Sequence, residues 1–456
     1  MYDLIILGGG AAGFSAAMKA EELKAKTLLI NNSAVGIGGT CINVGCMPTK
    51  YLLHVADAIQ RERKFCSFSV DFREIFRKKN TLIGKLREDK YEDVLSDLNV
   101  DFIEGDAKFV SKNEVEVNGS EYSGKKFVIA TGSSPFIPPV KGLDEVDYLT
   151  NKSALELEEL PESMIILGSG PLALEFAQVF SRFGSEVTIV FRGGRILKRE
   201  EPELANLLQL YLEEEGIKFI GNAEMLSISE KGMKKVKLRV AGEEKEIEAE
   251  HILIATGRKS NTGNISIELT GVRTGRRDEV IVDEYMRAAD NIFAAGDVVG
   301  EPMLETVAAR EGMIAANNAL SDKKLKMDYR VVPHAVFTYP AVGSVGLTDE
   351  KALSSGIRCR CSTILMELLP KAHAMGDTRG VLKMVVNSKN QEIVGIHILS
   401  ENAADLINEG AMIIRNRMTV DEVIDTLHVF PTLSESIKLA AQSFRRDVTK
   451  MSCCVE

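Results

Sequence analysis

At 456 residues, the chain exceeds the roughly 250–300 residues at which a single hydrophobic core stops growing, so roughly two to four domains are expected. Hydrophobic residues at 45%, charged residues at 27% and a formal net charge of -10 describe a folded protein. They exclude a nucleic-acid binder, because polyanions demand clustered Lys and Arg. Seven cysteines in an acidic chain without an export signal disfavour a secreted disulfide scaffold and point to redox or metal chemistry.

In chain order, Met1 to Leu7 lacks a basic leader and breaks at Gly8, which predicts a strand rather than a signal peptide. No apolar stretch reaches the roughly 20 residues needed to cross a bilayer, so a cytoplasmic protein without membrane contact is expected. Gly8, Gly10 and Gly13 spell Gly-x-Gly-x-x-Gly between that strand and the small-residue helix beginning Phe14-Ser15-Ala16. The glycines permit a tight turn that brings backbone N–H groups and the helix N-terminus up to a pyrophosphate. The next strand ends in Ile30-Asn31, where an acid would ordinarily bond ribose hydroxyls. Asn31 can still accept a hydrogen bond there.

The segment Gly38-Gly39-Thr40-Cys41-Ile42-Asn43-Val44-Gly45-Cys46-Met47-Pro48-Thr49-Lys50 is the most informative in the chain. Two cysteines separated by four residues can close a small disulfide loop. Pro48 followed by Tyr51-Leu52-Leu53 marks a helix start. Cys46 then lies near the positive end of a helix, which lowers a thiol pKa and favours the thiolate. Two structural cysteines, or half of a zinc site, are the other readings; zinc would need partners beyond His54.

The first design then repeats. Phe127 to Ile129 leads into Ala130-Thr131-Gly132. A second strand–turn–helix–strand unit runs from Met164 to Val190 around Gly168-Ser169-Gly170-Pro171-Leu172-Ala173, and Ile252 to Ile254 leads into Ala255-Thr256-Gly257. Two nucleotide units in one chain suggest two nucleotides held face to face for electron transfer. The second unit's strand ends in Phe191-Arg192, with Arg195, Lys198 and Arg199 close behind. A guanidinium suits the 2′-phosphate of NADPH, so NADPH is expected over NADH. A strand-like run, Asn291 to Asp297, precedes a helical stretch from Glu305 to Leu320. Beyond Val331 the pattern turns to strands, as in Gly380 to Ile398, and then to amphipathic helices from Ala403.

These motifs resemble those of the flavin disulfide reductases, the family of lipoamide dehydrogenase, glutathione reductase and mercuric reductase, over the whole chain. The resemblance rests on Gly8 to Gly13, Cys41 to Lys50, both Ala-Thr-Gly strands, Ala295-Gly296-Asp297 and the Pro431 to Glu435 segment. It implies an α/β fold with two Rossmann-like domains, for FAD and NADPH, and a C-terminal α+β dimerisation domain. The expected divisions are 1–145 and 263–330 for FAD, 146–262 for NADPH and 331–456 for dimerisation. It also implies that Cys46 stacks on the flavin and Cys41 is the outward interchange thiol. Lys50, paired with Glu175, is implied to sit near the flavin ring, and Asp297 to bond the FAD ribityl or pyrophosphate region.

In the family's disulfide-reducing members a histidine, oriented by a glutamate of the same segment, protonates the leaving thiol. Here the segment reads Leu427-His428-Val429-Phe430-Pro431-Thr432-Leu433-Ser434-Glu435, and Phe430 stands in the histidine's place. Phenylalanine carries no proton, so a disulfide substrate would be poorly served. Glu435 remains without its usual partner, and His428 is a weak substitute. The chain ends Met451-Ser452-Cys453-Cys454-Val455-Glu456. Exposed adjacent thiols oxidise unless used, and a tail dithiol can pass a soft cation to another dithiol by ligand exchange. This ending resembles that of the mercuric reductase branch. The resemblance implies a homodimer in which Cys453 and Cys454 deliver Hg(II) to Cys41 and Cys46 of the other subunit, for reduction to Hg(0) by NADPH through FAD. An NADPH-dependent disulfide reductase using the tail as a relay, and a non-catalytic soft-metal-binding protein, are the competing readings. Cys66, Cys359 and Cys361 match no family motif; Cys359-x-Cys361 reads as structural, with metal binding at most opportunistic.

Overall fold

The computed structural model describes residues 1–63, 65–67 and 69–451. Cys453 and Cys454 therefore lie outside the described residues. In the first nucleotide unit, the strands Asp101–Glu104, Thr27–Asn31, Tyr2–Leu7 and Ser120–Ile129 lie side by side in that order, all parallel, with Leu7 opposite both Ile30 and Ile129. Leu4, Ile5, Ile6, Leu28 and Leu29 are fully buried, as expected for a parallel sheet covered on both faces. The strand Ile292–Ala294 joins beyond Ser120–Ile129, so residues far along the chain complete the first unit.

The helix Ala11–Glu22 lies against the helix Glu305–Leu320. Small residues make this possible: a Cβ on Gly312 would stand 1.9 Å from the Ala12 carbonyl oxygen. The second unit repeats the plan. Lys218–Ile220, Glu186–Val190, Ser163–Leu167 and His251–Ile254 form a parallel sheet in the same relative order. Each unit carries an antiparallel insertion before its last strand. The first has Lys108–Ser111 and Glu114–Val117; the second has a three-stranded sheet from Ala223–Lys231 to Glu243–Ala249.

The remaining chain forms a five-stranded antiparallel sheet in the order His334–Val336, Ala341–Gly346, Ile393–Ser400, Val381–Asn387, Cys359–Leu365. The helices Ala403–Arg415 and Glu435–Gln442 pack on it. Lys383, 2% exposed, joins this sheet to the second unit through Glu201 and Glu203, and it also pairs with Asp349 of the C-terminal part, each carboxylate 2.8 Å away. The ammonium fills the space between the three acids, so the cluster is an ion-paired joint. Among the described residues no helix is long and apolar enough to cross a membrane.

Candidate active site

The redox segment begins a helix earlier than Pro48 suggests: Gly39–Val44 is a short helix, and Cys46–Glu62 starts at Cys46 itself after Gly45. Proline tolerates the first turn of a helix, where its missing N–H has no intrahelical acceptor, so Pro48 two residues in does not delay the start. Cys46 thus occupies the first helical position. Both Cys41 and Cys46 are half-buried free thiols facing each other. The Cys41 thiol donates toward Cys46, which together with the Lys50 ammonium holds Cys46 below the usual thiol range. Cys41 is pushed the other way, first by Cys46, then by burial and by the Glu305 carboxyl. A pair so biased, with Cys46 the readier to ionise, can give up an electron pair as a dithiol and take one up as a disulfide.

Lys50 Nζ lies 2.7 Å from Glu175 Oε2 and 4.4 Å from the centre of the Phe337 ring. The other oxygen of Glu175 accepts the Phe337 backbone N–H at 3.0 Å. Glu175, only 3% exposed, sits on the second unit's helix Pro171–Phe183. It therefore ties Lys50 of the first unit to the backbone just after the C-terminal sheet's strand His334–Val336.

The two glycine turns are built alike. Gly8 at φ 111° and Gly168 at φ 127° press on the carbonyl oxygens of Ala130 and Ala255, where added Cβ atoms would come within 2.2 and 2.1 Å. The Ala-Thr-Gly strands are thus the walls against which the turns fold. The backbones of Gly10 and Gly39 meet, since a Cβ on Gly39 would stand 2.7 Å from the Gly10 Cα. Thr40 follows on the short helix, close to the same turn.

Both helix N-termini, at Gly10 and Gly170, lack a side-chain cap and an acid in the first turn, which leaves their N–H groups for an anion. Added Cβ atoms at Gly132, Gly170 and Gly257 would meet nothing within 4 Å. Open space beside uncapped helix ends fits two dinucleotides. Asn31 Oδ1 accepts the Gly9 N–H at 2.8 Å and closes the first turn. Asp297 accepts from the Ser133 hydroxyl at 2.5 Å and lies 3.6 Å from Arg258 Nε. Thr131 donates to the Asn261 carbonyl at 2.6 Å, bracing the same corner.

The basic loop of the second unit divides. Arg195 donates to the carbonyls of Lys198 and Glu200, and Arg199 pairs with Glu301. Arg192 at the strand end is exposed and, among the described residues, makes no ion pair. Of the arginines in this loop, Arg192 is the one without an ion pair or hydrogen bond among the described residues.

At the far end, Phe430 is 47% exposed beside Leu427 at 81% and Val429 at 75%, an apolar strip of the kind that marks an interface. His428 is spoken for, with Nε2 at 2.8 Å from Glu409, which raises its pKa through that hydrogen bond. Glu435 accepts the Thr432 N–H at 3.0 Å and begins the helix that follows.

Three groups at this site escape the sequence motifs. Glu305, the first residue of its helix, places its carboxyl toward Cys41 and 3.5 Å from the Tyr91 hydroxyl; burial raises its pKa. Tyr91 stacks edge-on against Phe14 at 5.0 Å. Arg258 donates to both the hydroxyl and the carbonyl of Ser133 at 2.6 Å. Only the position of Arg258 directly after Ala255-Thr256-Gly257 could have signalled any of them.

A chain so arranged passes electrons between two nucleotides and on to a pair of sulfurs, and it belongs to the pyridine nucleotide-disulphide oxidoreductase family. The family profile covers residues 2–312, and that of the family's dimerisation domain covers 332–441. Among characterised proteins, the chain is 39% identical to a mercuric reductase of Staphylococcus aureus, spanning 99% of this chain and 84% of that one. It is 38% identical to a mercuric reductase of Streptomyces lividans, spanning 99% and 98%. Among solved structures, the HOCl-induced flavoprotein disulfide reductase RclA from Escherichia coli, in a Cu(II) complex, superimposes with a TM-score of 0.88 at 31% identity, covering 98% of this chain and 99% of that one. The family implies FAD and a nicotinamide nucleotide, and the open cradles above fit both.

Proposed function

We propose that this protein is a mercuric ion reductase, a cytoplasmic homodimer that reduces Hg(II) to Hg(0) with NADPH. The observation that carries the reading is the paired Cys41 and Cys46, one thiol lowered and one raised, at a helix N-terminus beside Lys50. Soft cations select thiolates. The mercuric reductases aligned over nearly the full chain support the metal, and Phe430 supports it against a disulfide substrate.

Residues 1–145 with 263–330 hold FAD, 146–262 hold NADPH, and 331–456 form the dimer. Gly8, Gly10, Gly13, Gly39, Thr40, Ala130, Thr131, Gly132 and Asp297 shape the FAD cradle; Asn31 holds its turn closed. Gly168, Gly170 and Gly257 shape the nicotinamide cradle, and Arg192 meets the 2′-phosphate. FAD, when bound, relays the two electrons of the nicotinamide to the dithiol side of the site. Cys453 and Cys454 of the partner subunit bring Hg(II), and Cys41 and Cys46 take it over as two sulfur–mercury bonds while the bonds to Cys453 and Cys454 break, protons from the incoming thiols passing through solvent to the departing thiolates. Lys50, fixed by Glu175, keeps a positive charge at the point where electrons arrive. Glu435 holds the segment that carries Phe430. Once reduced, uncharged mercury binds thiolate weakly and leaves.

The deciding experiment is NADPH oxidation by the FAD-loaded protein with Hg(II) and excess small thiol, beside lipoamide, glutathione disulfide and oxidised thioredoxin. Mercury-specific turnover releasing volatile Hg(0), reduced sharply in C453A/C454A, is the expected result; turnover only with a disulfide overturns it. A second reading is Cu(II) as the metal, favoured by the Cu(II) complex of RclA. Cu(II) belongs in the same panel.

A further inference from the structure

The strand Cys359–Leu365 is the last strand of the C-terminal sheet and pairs on one side only, with Val381–Asn387. Side chains alternate along it. Arg360 reaches over the Phe444 ring at 5.3 Å, Ser362 meets Ser443, and Ile364 is 3% exposed. That face is the one covered by the helix Glu435–Gln442 and the turn after it. Cys359 and Cys361 point the opposite way, both as free thiols, Cys359 half-buried and Cys361 exposed.

The two thiols face each other across the strand surface, and the Cys359 sulfur lies 3.9 Å from the Asp349 carbonyl oxygen. Neither fills the core, and neither belongs to the redox segment. Strand positions two apart place their Cα atoms about 6.6 Å apart, the product of roughly 3.3 Å per residue. That is close to the upper limit of about 6.8 Å for a disulfide, and the Cβ vectors run parallel rather than toward each other. The pair is better disposed to remain a dithiol than to close. By contrast, a two-coordinate ion with metal–sulfur bonds of about 2.3 Å separates its sulfurs by roughly 4.6 Å, a span that two side chains on one strand face can meet.

We propose that Cys359 and Cys361 form a second soft-metal site, a two-thiolate clasp on the open edge of the C-terminal sheet that takes Hg(II) or another thiophilic two-coordinate cation. Binding forms two sulfur–metal bonds and releases two thiol protons to solvent, with no change in oxidation state. The clasp has no nucleotide cradle beside it, so it holds the ion rather than reducing it. The Asp349 carbonyl oxygen, 3.9 Å from the Cys359 sulfur, borders the clasp. This inference rests on thiolate chemistry alone and stands apart from the catalytic reading.

The test uses the full-length, FAD-loaded protein with Cys41, Cys46, Cys453 and Cys454 replaced by Ala, with and without C359S/C361S. Mercuric chloride is added with excess cysteine as a monothiol competitor, and retained metal is measured after gel filtration. One equivalent retained, with Cys361 shielded from iodoacetamide, and retention weakened roughly 10²-fold by C359S/C361S, is the expected result for a chelating pair. The exposed position of Cys361 makes C361S a conservative control for folding, checked by circular dichroism, and it should lose the ion equally. Equal retention in all variants, or complete removal by cysteine, overturns the clasp. In the otherwise native protein, C359S/C361S should leave Hg(II)-dependent NADPH oxidation unchanged; its loss would overturn the separation of the two sites. Absence of that oxidation in the native protein would sink the proposed function while leaving the retention result to decide the clasp.

Discussion

The two nucleotide units have one scaffold and two endings. Strand order, the strained glycine against an alanine carbonyl, and the uncapped helix N-terminus recur in both. The difference lies at the tip of the second strand, where Asn31 is turned inward onto Gly9 and Arg192 is left exposed. The duplicated parts therefore build the same turn twice, and the residue at the tip of the second strand is where the two part.

The largest effect that can break this comparison comes from the strained glycines. An alanine at either position meets a carbonyl at about 2 Å in a backbone conformation that costs about 1–3 kcal/mol for a residue with a Cβ. Gly8→Ala should yield protein without flavin absorbance, whereas Gly168→Ala should keep its flavin and lose reduction by NADPH. Loss of flavin from both would show that the units are not independent.

Next is Arg192→Ala. A charge-assisted contact contributes about 1.5–3 kcal/mol, so KM for NADPH should rise roughly 10- to 100-fold while KM for NADH stays put. An equal rise for both nucleotides would move the phosphate reader elsewhere in the loop.

A second asymmetry is Glu311, buried in the first unit, where it accepts the Gly296 N–H at 2.7 Å and the Tyr329 hydroxyl at 2.6 Å. Burial raises its pKa from 4.5 to about 7. A carboxyl raised on folding binds its proton more tightly in the native state. Its stabilising effect is full below about pH 4.5 and is lost as pH rises through about 7, on the order of 3 kcal/mol in all. Glu311→Gln should flatten that part of the stability curve, measured by denaturant unfolding at pH 5 and pH 8. An unchanged slope would place the titration in another group. The smallest effect belongs to Asn31→Asp, which keeps an acceptor for Gly9 and should alter FAD affinity by no more than a few-fold, as read by flavin release on dilution.

Much of this was legible because it is local. Gly8 to Gly13 and Gly168 to Ala173 announce turns by spacing, and the Ala-Thr-Gly strands announce their partners by repetition. Lys50 and Glu175 were legible only through the family resemblance, since no local pattern joins residues so far apart in the chain. Glu305 was legible only as a helix start. Its approach to Cys41 arises because Ile292–Ala294 returns to the first sheet, a tertiary event that no short window contains. The helix starts at Cys46, two residues ahead of the boundary Pro48 suggests, because proline is an ordinary occupant of a first turn.

Glu175 carries one further consequence. Its two oxygens satisfy Lys50 from the first unit and the Phe337 amide at the C-terminal sheet, while its own helix belongs to the second unit. Stretches from the first unit, the second unit and the C-terminal sheet all meet at this one side chain. A chimera that exchanges any one of them with a relative will be tolerated only where the incoming stretch keeps its side of that contract, which makes position 175 a checkpoint for recombination within the family.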